Sequence, residues 1–233
     1  MPPDGEELLP RHVAIIMDGN RRWARARGLS EAEGHAAGVE AIRPIVRHAL
    51  ERGVGVLSLY AFSRENWARS PIEVDTLLGL LGAAVRDETP ELAAQGVRVL
   101  LLGRLDELPQ ETRTEIAESL DLTAAGRRMT LGVAFNYSGR SELVDAARRC
   151  LADGLAPEAI DEETIAGRLY TAGLPDPDLL IRTGGDQRIS NFLIWQAAYA
   201  ELHFSDRLWP DFDAPAFDEA LADYARRSRR FGR

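Results

Sequence analysis

At 233 residues, 45% hydrophobic and 28% charged, the chain has ordinary globular composition and enough length to bury a core without a metal or disulfide. Its single Cys150 excludes an internal disulfide framework and a Cys-rich zinc site, and the reducing cytoplasm is the expected compartment. A formal net charge of −9 argues against general nucleic-acid affinity, and no apolar run approaches the length needed to span a bilayer.

The first residues, Met1 to Pro10, carry acids and prolines where a secretory signal would carry basic residues and then an apolar run. Residues 1–11 are therefore expected as a flexible N-terminal segment, with a single domain over 12–233. His12–Met17 is a short apolar run that stops at Asp18-Gly19-Asn20, the pattern of a buried strand ending in a turn. Gly38–Arg52 has apolar residues at helical spacing and closes at Gly53. Val54–Tyr60 reads as a second strand, and Pro71 to Ala94 as a long helix with proline in its first turn. Val97–Leu102 is a third strand, Pro109–Ala125 a helix and Met129–Phe135 a fourth strand. Helices over Glu142–Leu151 and Asp161–Leu169, a short strand at Leu179–Ile181 and a terminal helix over Ala214–Ser228 complete the pass. Strands alternating with helices predict an α/β domain with a mainly parallel sheet covered on both faces.

The unusual residues lie in the loops after the strands, where open α/β sheets hold their ligands. Asp18-Gly19-Asn20-Arg21-Arg22-Trp23 combines an acid, a glycine and paired cations, and a helix starting there would aim free N–H groups at an anion. Ser63, Asn66 and Trp67 follow the second strand, with Arg69 and Glu73 just beyond; Asn136 and Arg140 follow the fourth. Arg182, Arg188 and Ser190 follow the fifth, around Gly184-Gly185-Asp186. Two guanidinium groups and a hydroxyl about a glycine turn suit a diphosphate, because guanidinium binds phosphate oxygens through two parallel hydrogen bonds. Further arginines gather at Arg25 and Arg27 and at Arg226, Arg227, Arg229, Arg230 and Arg233. No Gly-Lys-Ser/Thr loop, no Gly-x-Gly-x-x-Gly turn after the first strand and no Gly-x-Ser-x-Gly elbow is present, which weakens nucleotide hydrolysis, dinucleotide redox and hydrolase chemistry.

At these residues the chain resembles undecaprenyl diphosphate synthase and its cis-prenyltransferase relatives. The resemblance is carried, in order, by HVAIIMDGNRRWA, Gly34-His35, SLYAFSRENW, NYSGR, DLLIRTGGDQRISNFLIWQAAYAEL, WPDF and RRFG, spanning about residues 12 to 232. It implies a six-stranded, mostly parallel sheet flanked by helices, a homodimer, and a Mg²⁺-dependent transferase that condenses isopentenyl diphosphate with an allylic diphosphate to form a Z-configured prenyl diphosphate. It further implies that Asp18 binds magnesium and drives departure of the allylic diphosphate, which Gly19, Asn20, Arg21 and Arg22 would cradle. Arg182, Arg188 and Ser190 would hold isopentenyl diphosphate, Glu201 would assist the metal, and Arg230-Phe231-Gly232 would reach the neighbouring subunit's site. His35, Ser63 and Asn66 match positions linked to proton removal and orientation. Trp23, Trp67 and Arg69 flank the reacting region, where indole faces steady cationic charge. A peripheral membrane contact for product release is a further expectation.

One position departs from the resemblance. The family usually carries an arginine three residues before Gly34-His35; here that residue is Glu31, an acid where a diphosphate would be contacted, with Arg25 or Arg27 as substitutes. The departure leaves open a short-chain or irregular, head-to-middle, coupling enzyme beside an elongating synthase. A non-catalytic partner subunit is a third reading, against which stand Asp18, Asn20, Arg22, Asn66 and Glu201. A growing product needs an apolar tunnel, because each five-carbon unit buried contributes roughly 4 kcal/mol. Leu77, Leu78, Leu81 and Val85 on the long helix, with Met129, Leu131 and Val133 on the fourth strand, are the expected wall, and the bulk of Met129 and Phe135 hints at a shortened one.

Overall fold

A computed structural model describes residues 8–227. The expectations placed on residues 1–7, Ser228, Arg229, Arg230, Phe231, Gly232 and Arg233 lie outside the described residues. Six strands, β1 (His12–Ile16), β2 (Val56–Ser63), β3 (Val97–Leu102), β4 (Met129–Tyr137), β5 (Leu179–Arg182) and β6 (Glu201–Phe204), form one sheet in the order β3-β4-β2-β1-β5-β6. Every pairing is parallel, so the mostly parallel sheet expected from the sequence is wholly so. Parallel order places the C-terminal ends of the strands on one rim. Ile16 pairs with Tyr60 on one side and Arg182 on the other, which sets the loops after β1, β2 and β5 level with one another.

Alternation along the strands builds two cores. Val13, Ile15, Leu57 and Leu59 face one way and pack with Ile45 and Val46 of α3 (Ile42–Glu51) and Phe217 and Leu221 of α8 (Ala214–Arg226). Ala14, Ile16, Tyr60 and Leu180 face the other way and meet Tyr137, Phe192 and Leu193. Beneath the second core, buried His12 sits between the Pro175 carbonyl, 2.7 Å from Nδ1, and Ser58 Oγ, 2.8 Å from Nε2. Burial lowers its pKa to about 4, so the ring is neutral; Nδ1–H donates to the carbonyl and Nε2 accepts from the hydroxyl.

The elements depart from the sequence reading at three places. The expected helix over Gly38–Arg52 is two helices, α2 (Glu31–Glu40) and α3, because a capping box between Ser30 and Glu33 starts the first one earlier. The helix expected over Asp161–Leu169 shrinks to α7 (Glu162–Ala166), with Asp161 as its N-cap. The sixth strand, Glu201–Phe204, escaped the chain-order pass because it is a half-exposed edge without an apolar run. α1 (Asn20–Ala26), α4 (Pro71–Ala94), α5 (Gln110–Thr123) and α6 (Gly139–Ala152) fall close to expectation.

Candidate active site

The rim loops enclose a cavity of about 630 Å³, within the range of small-molecule sites. Asp18 anchors its floor. Its backbone N–H donates to Thr183 Oγ1 at 2.9 Å, and its carbonyl accepts from that hydroxyl at 2.8 Å and from the Trp209 N–H at 3.0 Å. Gly19 follows with φ +116°, a conformation that turns the chain from β1 into α1 and that L side chains rarely adopt. α2 then lies directly on this turn: a Cβ at Gly34 would stand 2.5 Å from the Asn20 carbonyl oxygen, and one at Gly38 2.5 Å from the Asn20 side chain.

Around Asp18 the cations converge. Arg22 donates through Nη1 to the Gly184 carbonyl at 2.6 Å and through Nη2 to Asp18 Oδ1 at 3.2 Å. Arg182, whose side chain is 4% exposed, donates from Nη1 to the Arg188 carbonyl and to Ser190 Oγ, and from Nη2 to Asp18 Oδ2 at 2.7 Å. The same Nη2 reaches Asp186 Oδ2 at 3.3 Å, which also accepts from Arg188 at 2.7 Å. Burial works against charge on Asp186, but Arg188, Arg182 and Arg22 outweigh it and hold its pKa below the usual carboxylate range. Ser190 is held at φ +47°, a left-handed conformation uncommon outside glycine and asparagine. Arg21, Arg25 and Arg69 complete a lining of six arginines against Asp18 and Asp186, a local positive field in a chain whose formal net charge is −9.

His35 of α2 enters from the side. Its Nε2 lies 3.2 Å from Glu73 Oε1, which also accepts from Arg69 Nη1 at 2.8 Å. The carboxylate only accepts, so Nε2 carries the proton and the neutral ring keeps its lone pair on Nδ1. Burial lowers the His35 pKa more than Glu73 raises it. Ser63 and Asn66 line the same cavity, tied together where the Ser63 N–H donates to Asn66 Oδ1 at 3.0 Å. Glu31 is drawn off the cavity by Arg21, 2.7 Å away. Of the two arginines expected to substitute for the family's cation, Arg25 lines the cavity, whereas Arg27 is spent on Asp211 and on the face of Trp23.

A second, apolar cavity of about 150 Å³ lies between the sheet and the pair α3 and α4. Val39, Ile42, Ala61 and Leu77 line both spaces, so the polar and apolar cavities adjoin. Of the residues expected on a tunnel wall, Leu77, Leu81, Val85, Leu131 and Val133 line this cavity. Leu78 and Met129 are not: Leu78 packs against the cluster of Phe62, Val74 and Phe135, and Met129 is sealed in the first core. Phe135 does line the cavity, and Arg43 and Arg47 of α3 pair across its outer side with Glu88 and Glu91 of α4.

Other singled-out residues lie apart from the polar cavity. Trp23 donates its indole N–H to Asp211 at 2.8 Å, and Trp67 donates to Asn136 Oδ1 at 2.8 Å while its ring edges Phe62. Asn136 donates in turn to the Arg104 carbonyl and Glu107. Glu201 opens β6 opposite Leu179, at the N-terminal end of the strand pair whose other end carries Arg182, and accepts from Arg227 at 3.0 Å. Tyr60 lines the polar cavity without having been singled out, and so does Asp186. A strand tyrosine in an apolar run carries no local mark of a ligand contact. Asp186 was visible within the glycine turn.

A family model described as "Putative undecaprenyl diphosphate synthase" matches residues 16–232. The chain is 48% identical over 236 residues to an isoprenyl transferase of Agrobacterium fabrum, covering all of this chain and 96% of that one. It is 49% identical over 230 residues to a trans,polycis-polyprenyl diphosphate synthase, (2Z,6E)-farnesyl diphosphate specific, of Thermobifida fusca, covering 97% and 82% of the two chains. Its fold superposes on lavandulyl diphosphate synthase from Lavandula x intermedia, solved in complex with dimethylallyl diphosphate, with a TM-score of 0.94, 38% identity, and coverage of 98% and 100%.

Proposed function

This chain belongs to the undecaprenyl diphosphate synthase family of cis-prenyltransferases, and from that premise we propose that the rim cavity is its active site and the apolar cavity its product channel. The protein is an isoprenyl transferase that condenses isopentenyl diphosphate with an allylic diphosphate. Pyrophosphate leaves the allylic carbon, a carbon–carbon bond forms to the terminal carbon of isopentenyl diphosphate, and loss of one proton sets the new Z double bond. The observation that carries the site assignment is an arginine-lined cavity adjoining an apolar one across Val39, Ile42, Ala61 and Leu77. A diphosphate ester with a hydrocarbon tail has that division.

In this reading Arg22, with the backbone of Gly19 and Asn20, receives the allylic diphosphate, and Arg21 and Arg25 add charge at the entrance. Arg182, Arg188 and Ser190 receive isopentenyl diphosphate. Preorganised cations facing a leaving group on which charge develops are usually the largest catalytic contribution. Asn66 orients the loop that carries Ser63. The proton goes to the free Nδ1 of His35 or to the departing pyrophosphate. Trp23 and Trp67 act from behind this layer, Trp23 pinning α1 to Asp211 and Trp67 bracing Asn136, while Arg69 lines the cavity and holds Glu73 against His35.

Magnesium suits the donors present. Among the described residues no three His, Cys, Asp or Glu side chains gather into a cage for a metal. Mg²⁺ usually takes one or two carboxylates together with substrate phosphates and water, and Asp18, with Asp186 beside it, offers that set. Bound there, the ion would neutralise charge on the diphosphate. Glu201 stands too far along β5–β6 to join Asp18 within one chain, so its share in the metal, like the reach of Arg230 and Gly232, depends on a homodimer whose partner supplies it. Peripheral contact with a membrane would follow from the apolar product; no described helix is long and apolar enough to cross one.

The test is incubation of the purified protein and Mg²⁺ with isopentenyl diphosphate and each allylic starter, followed by mass analysis. Incorporation of five-carbon units is expected, and no incorporation with any starter would overturn the site reading. Head-to-middle coupling is a second reading, supported by the likeness to lavandulyl diphosphate synthase and by Glu31. It requires product from dimethylallyl diphosphate alone.

A further inference from the structure

Ser63 and Asn66 line the rim cavity from a segment that the sheet does little to place. The pairing of β2 with β4 shifts register between Tyr60 and Ser63, and its last pair sets Ser63 opposite Tyr137. Past that pair comes the short helical turn Arg64–Ala68, whose Ser63–Asn66 capping box ties it only to its own start. A single tight turn has little stability of its own. Contacts from distant segments must therefore fix where Ser63 and Asn66 stand.

Two such contacts, one on each side of Asn66, converge on a single oxygen atom. Arg64 Nη1 donates to Glu107 Oε2 at 2.5 Å. Trp67 donates its indole N–H to Asn136 Oδ1 at 2.8 Å, and Asn136 Nδ2 donates to the same Glu107 Oε2 at 3.0 Å. An indole N–H only donates and a carboxylate only accepts, so the Asn136 amide between them can stand only one way round. Asn136 is fully buried at φ +50°, and its Nδ2 also donates to the Arg104 carbonyl at 2.8 Å. The other Glu107 oxygen accepts from Arg104 at 3.2 Å, while Arg104 is forked onto both oxygens of Asp145 at 2.8 Å. Hydrogen bonds from Asn136 first, and then from Arg104 and Arg64, hold the Glu107 carboxyl below the usual carboxylate range against partial burial, so it is charged near neutral pH. Glu65 is held separately, accepting from Asn191 at 3.0 Å.

We propose that Glu107, which does not line the cavity, is a positioning residue for the condensation: through Arg64 directly and through Asn136 to Trp67, it sets the turn that presents Ser63 and Asn66. The proposal rests on the cis-prenyltransferase reading and deepens it. Groups that orient reacting atoms lose much of their effect when displaced by an ångström, so a residue behind them reaches the rate without touching substrate.

Glu107→Ala cuts both ties, and Glu107→Gln keeps the reach and an acceptor oxygen but not the charge. With Ala, kcat is expected to fall about tenfold or more while the KM for each substrate stays within about threefold. With Gln the loss is smaller, about threefold, because a neutral acceptor still holds Asn136. The melting temperature should hardly change, since Glu107 is 38% exposed and Arg104 keeps its fork on Asp145. In NMR spectra of the substrate-free protein, the Trp67 indole N–H resonance, assigned with Trp67→Phe, should move in both variants, more in Ala. The Trp209 indole, bonded to the Gly38 carbonyl, should stay in place. Parent-like kcat, or lost kcat with an unmoved Trp67 resonance, would overturn the proposal. So would equal movement of Trp209 with a lowered melting temperature, the mark of a general loss of fold. If the Ala variant does not fold, Gln decides by the same two readouts. All of these outcomes leave the site assignment standing; a parent protein that does not incorporate isopentenyl diphosphate fails the broader reading instead.

Discussion

The two cavities meet at four residues and differ in almost everything else. The polar one is lined by six arginines and two aspartates, and two buried polar atoms among its residues, Asn20 Oδ1 and Arg182 Nε, lack partners. The apolar one is lined mainly by leucine, valine and isoleucine, and its buried polar pair, Thr89 and Ser119, is bonded to itself at 2.7 Å. One space is charged and leaves buried polar atoms unpaired; the other is apolar. Under the proposed function, the difference separates catalysis from product length. A side chain in the first should change rate or substrate KM, and one in the second should change how far the chain grows.

The sharpest attempt to break that division is Asp18→Ala, which is expected to lower turnover by about a hundredfold or more, the scale of a lost transition-state contact. Circular dichroism should show an intact fold, and unchanged turnover would remove Asp18 from the chemistry. Val85→Phe makes the reciprocal test on the apolar wall. Mass profiles should shift to shorter products by at least one five-carbon unit, while the first condensation keeps its rate within about threefold, since the added ring fills the channel and not the cradle. If product lengths did not move, the channel assignment would be wrong.

Two smaller effects refine the entrance. Glu31→Gln frees Arg21 from an exposed pair, so the KM for the allylic starter should fall about threefold. The melting temperature should hardly change, because exposed pairs contribute at most about 1 kcal/mol. Smallest is the response of His35. Burial holds its pKa below 6.5, and Glu73 partly opposes this. The sign is therefore fixed: the ring is neutral at pH 7 and charges only as pH falls below the ordinary imidazole range. In NMR titrations of the imidazole, Glu73→Gln should lower the His35 midpoint further, since a raising partner is lost; a higher midpoint would contradict the network.

The legible part of this protein was the part written in local pattern. Apolar runs ending at Asp18, Ser63 and Arg182 marked strands and their loops, and the arginines, glycines and hydroxyl of those loops marked an anion site, because diphosphate recognition needs those groups near a strand end. Leu77, Leu81, Val85, Leu131 and Val133 were equally readable as one apolar wall. Leu78 and Met129 were read onto that wall and lie elsewhere, since helical and strand periodicity identifies a buried face but not which of two buried spaces a residue meets.

Sequence alone determined that the chain is α/β and that its arginines, glycines and hydroxyls gather after the strands. Tertiary structure decided the rest. It made a strand of Glu201–Phe204, an edge held by pairing with β5 and not by its own hydrophobicity. It sent Trp23 to Asp211 and Trp67 to Asn136, and brought Tyr60 level with Arg182 from 122 positions away in sequence. Propensity and periodicity act over a few neighbouring residues, whereas strand register and the partner of each polar atom are settled only when distant segments pack together.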